Sequence, residues 1–126
     1  MYVEGSVRQP HNGVAQPVYK DARGEIQRHA LAGSKVNILH TVAGNKRSGD
    51  FHPYTQFDAI LSGRVELLTL EDGAENWRIL VANDTVAIAP YVPHLFVFRE
   101  DTVMLEWWEG PFEAWYYKPF RDMIHV

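Results

Sequence analysis

The chain has 126 residues, a net charge of −4 and no cysteine. That length suits one domain, residues 1–126, with a core of its own. The charge argues against a phosphate-backbone footprint, so nucleic acid is not expected as a partner, and the missing cysteine removes disulfides, thiolate ligands and cysteine nucleophiles.

The N-terminus, MYVEGSVRQPHNG, has no basic start followed by an apolar core, and no apolar run reaches the roughly 18 residues a spanning helix needs. The expectation is a cytoplasmic protein with no membrane segment. Residues 1–35 read as an arm or as edge strands. Within them Glu25 to Ala32 fits either a short helix capped by Gly33 or an edge strand, and the strand is preferred.

Residues 36–109 carry the core. Short segments rich in Val, Ile, Leu, Phe, Tyr and Trp alternate with Gly and Pro, which predicts an all-β fold of antiparallel strands. The strands are Val36 to Val42, Thr55 to Leu61, Arg64 to Leu70, Trp77 to Val81, Thr85 to Ala89, Leu95 to Arg99 and Val103 to Trp108. Ser62-Gly63 makes a sharp corner. Glu71-Asp72-Gly73-Ala74 closes a hairpin, because Asp-Gly supplies the positive φ that a tight turn requires. Pro90 and Pro93 bracket a further corner that places His94 at a strand entrance. Phe57 to Leu61 does not alternate, which suggests that both its faces are covered, either by a second subunit in a homodimer or by the N-terminal segment. The tail, residues 110–126, has too much aromatic area to leave in water and should pack on the barrel or on a partner copy.

Side chains at i, i+2, i+4 and i+6 of a strand share a face, so Asp50, His52, Tyr54, Gln56 and Asp58 can all face one interior. His94 shares a face with Phe96 and Phe98. A polar cluster opposite an aromatic wall is the pattern of a small-molecule pocket. On the last strand Glu106 and Trp108 lie on one face and Trp107 on the other. His40 is read as a core residue or one that reaches the cavity; His11, His29 and His125 are read as solvated. Arg47, Arg64 and Arg99 suit a cavity mouth and a plain surface equally well. The −4 charge weighs against a strongly anionic substrate, which needs basic residues gathered at the mouth.

The window GNKRSGDFHPYTQFDAILSG resembles the first motif of the cupins, a glycine, five residues, His-x-His, three or four residues, Glu, six residues and a glycine. Gly44 and Gly63 stand at the ends, His52 at the second histidine, Asp50 at the first, and Gln56 at the glutamate. The segment ANDTVAIAPYVPH is similar to the second motif, with His94 at its histidine. The resemblance implies a cupin-type jelly-roll barrel and one divalent metal ion, Fe, Mn, Ni or Zn, held by Asp50, His52, Gln56 and His94. The two departures cancel in charge: Gln56 removes a carboxylate and Asp50 returns one. The function so implied is a metal-dependent enzyme on a small organic substrate. One alternative is a metal-free sugar-nucleotide isomerase or epimerase in which His52, oriented by Asp50 or Asp58, takes a proton and Tyr54 returns one. Another is a ligand-binding protein without catalysis.

Overall fold

The computed structural model describes residues 7–9 and 17–125. Among the described residues, twelve strands form two six-stranded antiparallel sheets. In chain order the strands are β1 (Val7–Gln9), β2 (Val18–Asp21), β3 (Gly24–Leu31), β4 (Ser34–Thr41), β5 (Lys46–Phe51), β6 (Gln56–Ser62), β7 (Arg64–Glu71), β8 (Ala74–Val81), β9 (Thr85–Ile88), β10 (His94–Phe98), β11 (Thr102–Trp108) and β12 (Ala114–Tyr116), followed by a single helical turn, α1 (Lys118–Arg121). One sheet runs β1-β12-β5-β10-β7-β8 and the other β2-β3-β4-β11-β6-β9. No helix among the described residues is long and apolar enough to cross a membrane.

Glu25 to Ala32 lies in strand β3 and the turn after it, in the β3–β4 hairpin, where Leu31 pairs with Ser34. The β7–β8 hairpin turns at Asp72 and Gly73, with φ of 51° and 76°. Two successive positive φ values match the right-handed twist of the flanking strands, which is why Asp-Gly closes it.

The main core fills the space between the sheets. Leu39, Ile60, Val86, Ile88 and Met104 from one sheet meet Val65, Leu67, Leu80, Phe96 and Phe98 from the other. All five residues of β10 are buried, because both its faces are covered. Phe96 and Phe98 enter the main core, while Leu95 and Val97 pack with Leu68 and Phe120 in a second cluster beneath the C-terminal turn. The aromatic tail therefore packs on its own chain: β12 pairs with β5, and Trp115 stacks on Phe51 at 5.7 Å.

Strand β6 has one face buried within the described residues of its own chain. It alternates, with Gln56, Asp58 and Ile60 buried, Phe57 and Ala59 half-buried, and Leu61 exposed. Its sequence hides the alternation because the inner face carries two polar residues. Strand β4 turns its odd residues inward, so Leu39 is buried and His40 is exposed.

Candidate metal centre

Strand β5 delivers the first ligand through a bulge. His94 pairs with Asp50 and Leu95 with Ser48, which leaves Gly49 as the extra residue. Ser48 and Gly49 have φ of 79° and 70°. A bulge reverses the inward-outward parity of the residues that follow it, so Arg47 and Asp50, three apart, both line one cavity. Gly49 is required for a second reason. A Cβ there would lie 2.9 Å from the Arg121 Cα, closer than a side chain tolerates.

His52 follows β5, and its carbonyl accepts a hydrogen bond from the Tyr91 amide at 2.7 Å, tying it to the Pro90–Pro93 corner. His94 opens β10 and has no exposed surface. The Nδ1 of His52 lies 2.9 Å from the Glu113 carbonyl, and the Nδ1 of His94 lies 2.9 Å from the Val92 carbonyl. A carbonyl only accepts, so each Nδ1 carries the hydrogen and donates it. Each neutral ring then presents the lone pair of Nε2, and both lone pairs face the same oxygen: Asp50 Oδ1 is 3.5 Å from His52 Nε2 and 3.4 Å from His94 Nε2.

Three acceptors thus meet within 4.8 Å of one another, all on buried residues. Asp50 Oδ1 and His94 Nε2 have no hydrogen-bond partner among the described residues. Buried polar groups are normally satisfied, and a point where lone pairs converge without a hydrogen calls for a cation. Protons are the competing occupants. Burial alone raises the Asp50 carboxyl, but the two imidazoles bring it below its ordinary value. Burial works against a charge on His52, yet Asp50 beside it raises its pKa. Burial pushes His94 down to about 4 against the pull of Asp50, keeping it neutral. Two histidines with one carboxylate are a donor set suited to divalent first-row ions, with coordination positions left for substrate.

Gln56 is placed differently from these three. Its amide nitrogen donates to Asp58 Oδ2 at 2.9 Å and to Glu106 Oε1 at 2.8 Å, and its oxygen accepts from the Trp108 indole at 3.1 Å. Indole only donates, which fixes the amide orientation and commits Gln56 to a hydrogen-bonded network. Asp58 and Glu106 are opposite residues of the β6–β11 ladder. Burial raises Asp58 to about 7, and burial together with Asp58 raises Glu106 well above its usual range. Tyr54 stands apart. The chain leaves the strand conformation at His52, and Tyr54 is 41% exposed, packed over Gly110.

A cavity of about 980 Å³ adjoins the cluster, lined by Asp50, His52, Gln56 and Glu106, with Trp108 and Phe112 as aromatic walls. Trp107 points the other way and stacks on Phe57. Against the expectation that basic residues are not gathered there, Arg23, Arg28, Lys35, Arg47 and Arg121 all line it. Of Arg47, Arg64 and Arg99, Arg47 is inside and 4% exposed, Arg64 is half-buried, and Arg99 pairs with Glu66 at 2.8 Å on the surface. The Ser-Gly pair after Arg47 was the available signal of the bulge that turns it inward. His29 is exposed and lines the cavity; His125 is exposed, and His11 lies outside the described residues.

No family model and no curated protein matches the chain. Among solved structures it is similar to the capsular polysaccharide assembling protein CapF from Staphylococcus aureus, with 14% identity, a TM-score of 0.64, and coverage of 75% of this chain and 30% of that one. It is similar to the Lactobacillus farciminis oxalate decarboxylase in its formate complex, with 15% identity, a TM-score of 0.66, and coverage of 78% and 32%. The Bacillus subtilis oxalate decarboxylase gives 11% identity, a TM-score of 0.67, and coverage of 79% and 31%. The chain spans about a third of the length of the structures it matches. These are cupin proteins, and the chain has the cupin fold.

Proposed function

We propose that the chain holds one divalent metal ion through Asp50, His52 and His94 and acts on a small organic molecule bound in the adjoining cavity. The observation that carries this reading is the meeting of Asp50 Oδ1, His52 Nε2 and His94 Nε2 at one buried point, with both Nδ1 hydrogens committed elsewhere. A bound divalent ion supplies Lewis-acid polarisation of a substrate oxygen. We read the two sheets as the walls of a jelly-roll barrel with this centre inside.

The chain's own residues divide the remaining work. The backbone carbonyls of Glu113 and Val92 fix the tautomer and orientation of the two rings, as outer partners of metal ligands do. Trp108 and Phe112 give the organic body of the substrate an apolar face and exclude water from it. Glu106, protonated beside Asp58 and facing the cavity, is placed to give or take a proton at its carboxyl oxygen.

The likeness to a capsular polysaccharide assembling protein supports a sugar-linked alternative in which His52, held by Asp50, works as a base without metal. Tyr54, the proton carrier of that alternative, stands outside the cavity, so the metal reading is preferred. Elemental analysis of protein purified without a metal-affinity tag decides between them. The proposal expects close to one ion per chain, or a saturable site on adding Fe, Mn, Ni or Zn that is lost in His52→Ala and His94→Ala. Protein that neither carries nor takes up a metal overturns it. Ligand that binds and is released unchanged makes the chain a binding protein.

A further inference from the structure

Among the described residues, Arg47 is a buried cation without a counter-ion. Its Nε donates to Thr41 Oγ1 at 2.7 Å, and its Nη2 is buried with no partner. The carboxyl groups that act on it, Asp21 and Glu106, are engaged elsewhere. Both oxygens of Asp21 are taken by Arg23, at 2.8 Å from its backbone amide and at 2.9 and 2.6 Å from its guanidinium. Glu106 Oε1 is taken by Gln56. Burial, with Arg23 adding its repulsion, lowers Arg47 to about 10, which still leaves it charged at neutral pH. A buried, unpaired guanidinium is among the least favourable groups a fold can carry. Arg47 lines the cavity, as do Trp108, Phe112, Ile26 and Leu39.

We infer that the cavity takes an organic carboxylate, its anionic end on Arg47 and its apolar body against Trp108 and Phe112. Guanidinium offers a carboxylate N–H donors at fixed geometry; the Nε hydrogen is held by Thr41, so the contact falls to the terminal nitrogens of this cavity-lining residue. The volume, about 980 Å³, suits a ligand with a sizeable body rather than a bare anion. This rests on the reading of the cavity as a small-molecule seat and is independent of the metal.

The test uses the full chain, chelator-treated and metal-loaded in parallel, and follows the Trp108 indole and Arg47 Nε signals by NMR. The probes are 3-phenylpropionate, its neutral amide, and inorganic phosphate. The expected result is saturable shifting by the carboxylate in both preparations and affinity at least about tenfold weaker for the amide, as a charge-assisted bond is lost. Binding by phosphate alone, equal binding of acid and amide, or no binding of the carboxylate overturns the proposal. Arg47→Met supplies the second arm. If Arg47 is kept for a ligand, removing the uncompensated charge leaves the melting temperature of the ligand-free protein unchanged or raises it, and abolishes its rise with 3-phenylpropionate. A fall of several degrees makes Arg47 part of the framework and overturns the assignment. Failure of the metal reading shows in elemental analysis and leaves the chelator-treated arm intact.

Discussion

Asp58 and Glu106 face each other across the β6–β11 ladder, both buried, and one amide group, that of Gln56, donates to each. Two carboxylates in one dry site cannot both keep their charge at low cost, so the pair retains a proton into the neutral range. The metal-free protein is expected to show a protonated-carboxyl stretch by infrared spectroscopy at pH 6.5 that shifts in Asp58→Asn or Glu106→Gln and is lost when both are replaced.

The same pair sets a pH dependence of stability. Asp58 is raised to about 7, above its unfolded value of about 3.9, so the native state binds more protons than the unfolded one between those values. Its contribution is full below the lower value and is lost as pH rises toward the upper, at about 1.4 kcal/mol per pH unit for one group. His94, lowered to about 4, runs the other way between that value and its unfolded 6.5, with stability rising as pH rises through that window. The two offset each other up to about pH 6.5. Above it the acid pair and the raised His52 act alone, so the melting temperature of metal-free protein should fall from pH 6.5 to 8.5, and less steeply in Asp58→Asn.

Trp108→Phe removes the indole that satisfies Gln56 Oε1. A buried amide oxygen without a donor costs about 1–3 kcal/mol, which urea denaturation at fixed pH measures. Gln56→Glu puts a third acid into the Asp58–Glu106 cluster and should destabilise more, with the loss growing as pH rises. It should not tighten metal binding.

Gly49→Ala forces a side chain into a φ of 70° and against the Arg121 backbone. The expected cost is above about 1 kcal/mol. Because the bulge aims Asp50, metal affinity should fall as well. Calorimetric titration on the folded variant reads the second effect separately from the first.

Metal binding must displace the proton that Asp50 favours on His52. Affinity should therefore rise with pH, with proton release on binding. Buffers of different ionisation enthalpy count the released protons in calorimetry.

The sequence discloses the parts of this fold that follow local rules and conceals those that depend on the cavity. Asp72-Gly73 and the apolar strands β7 and β10 are legible because turn chemistry and burial agree there. Lys46–Phe51 is not legible as a strand. It is polar, contains Ser-Gly, and is buried because Arg47 and Asp50 face a cavity rather than solvent. His52 and His94 stand at the histidine positions of the two motifs that resemble the cupins, and they do converge. Tyr54 shares their parity on paper, but the chain leaves the strand at His52 and turns it outward. Gln56 stands at the glutamate of the motif that resembles the cupins, and only the opposing Glu106 and Trp108 show that its amide is already engaged.

The central claim is tested most directly by diffraction from crystals of metal-loaded protein, recorded at the absorption edge of the bound ion. The account predicts one anomalous peak within about 2.0–2.3 Å of Asp50 Oδ1, His52 Nε2 and His94 Nε2, at ligand distances for nitrogen and oxygen donors. An empty map at that point with full loading, or a peak at other residues, contradicts it.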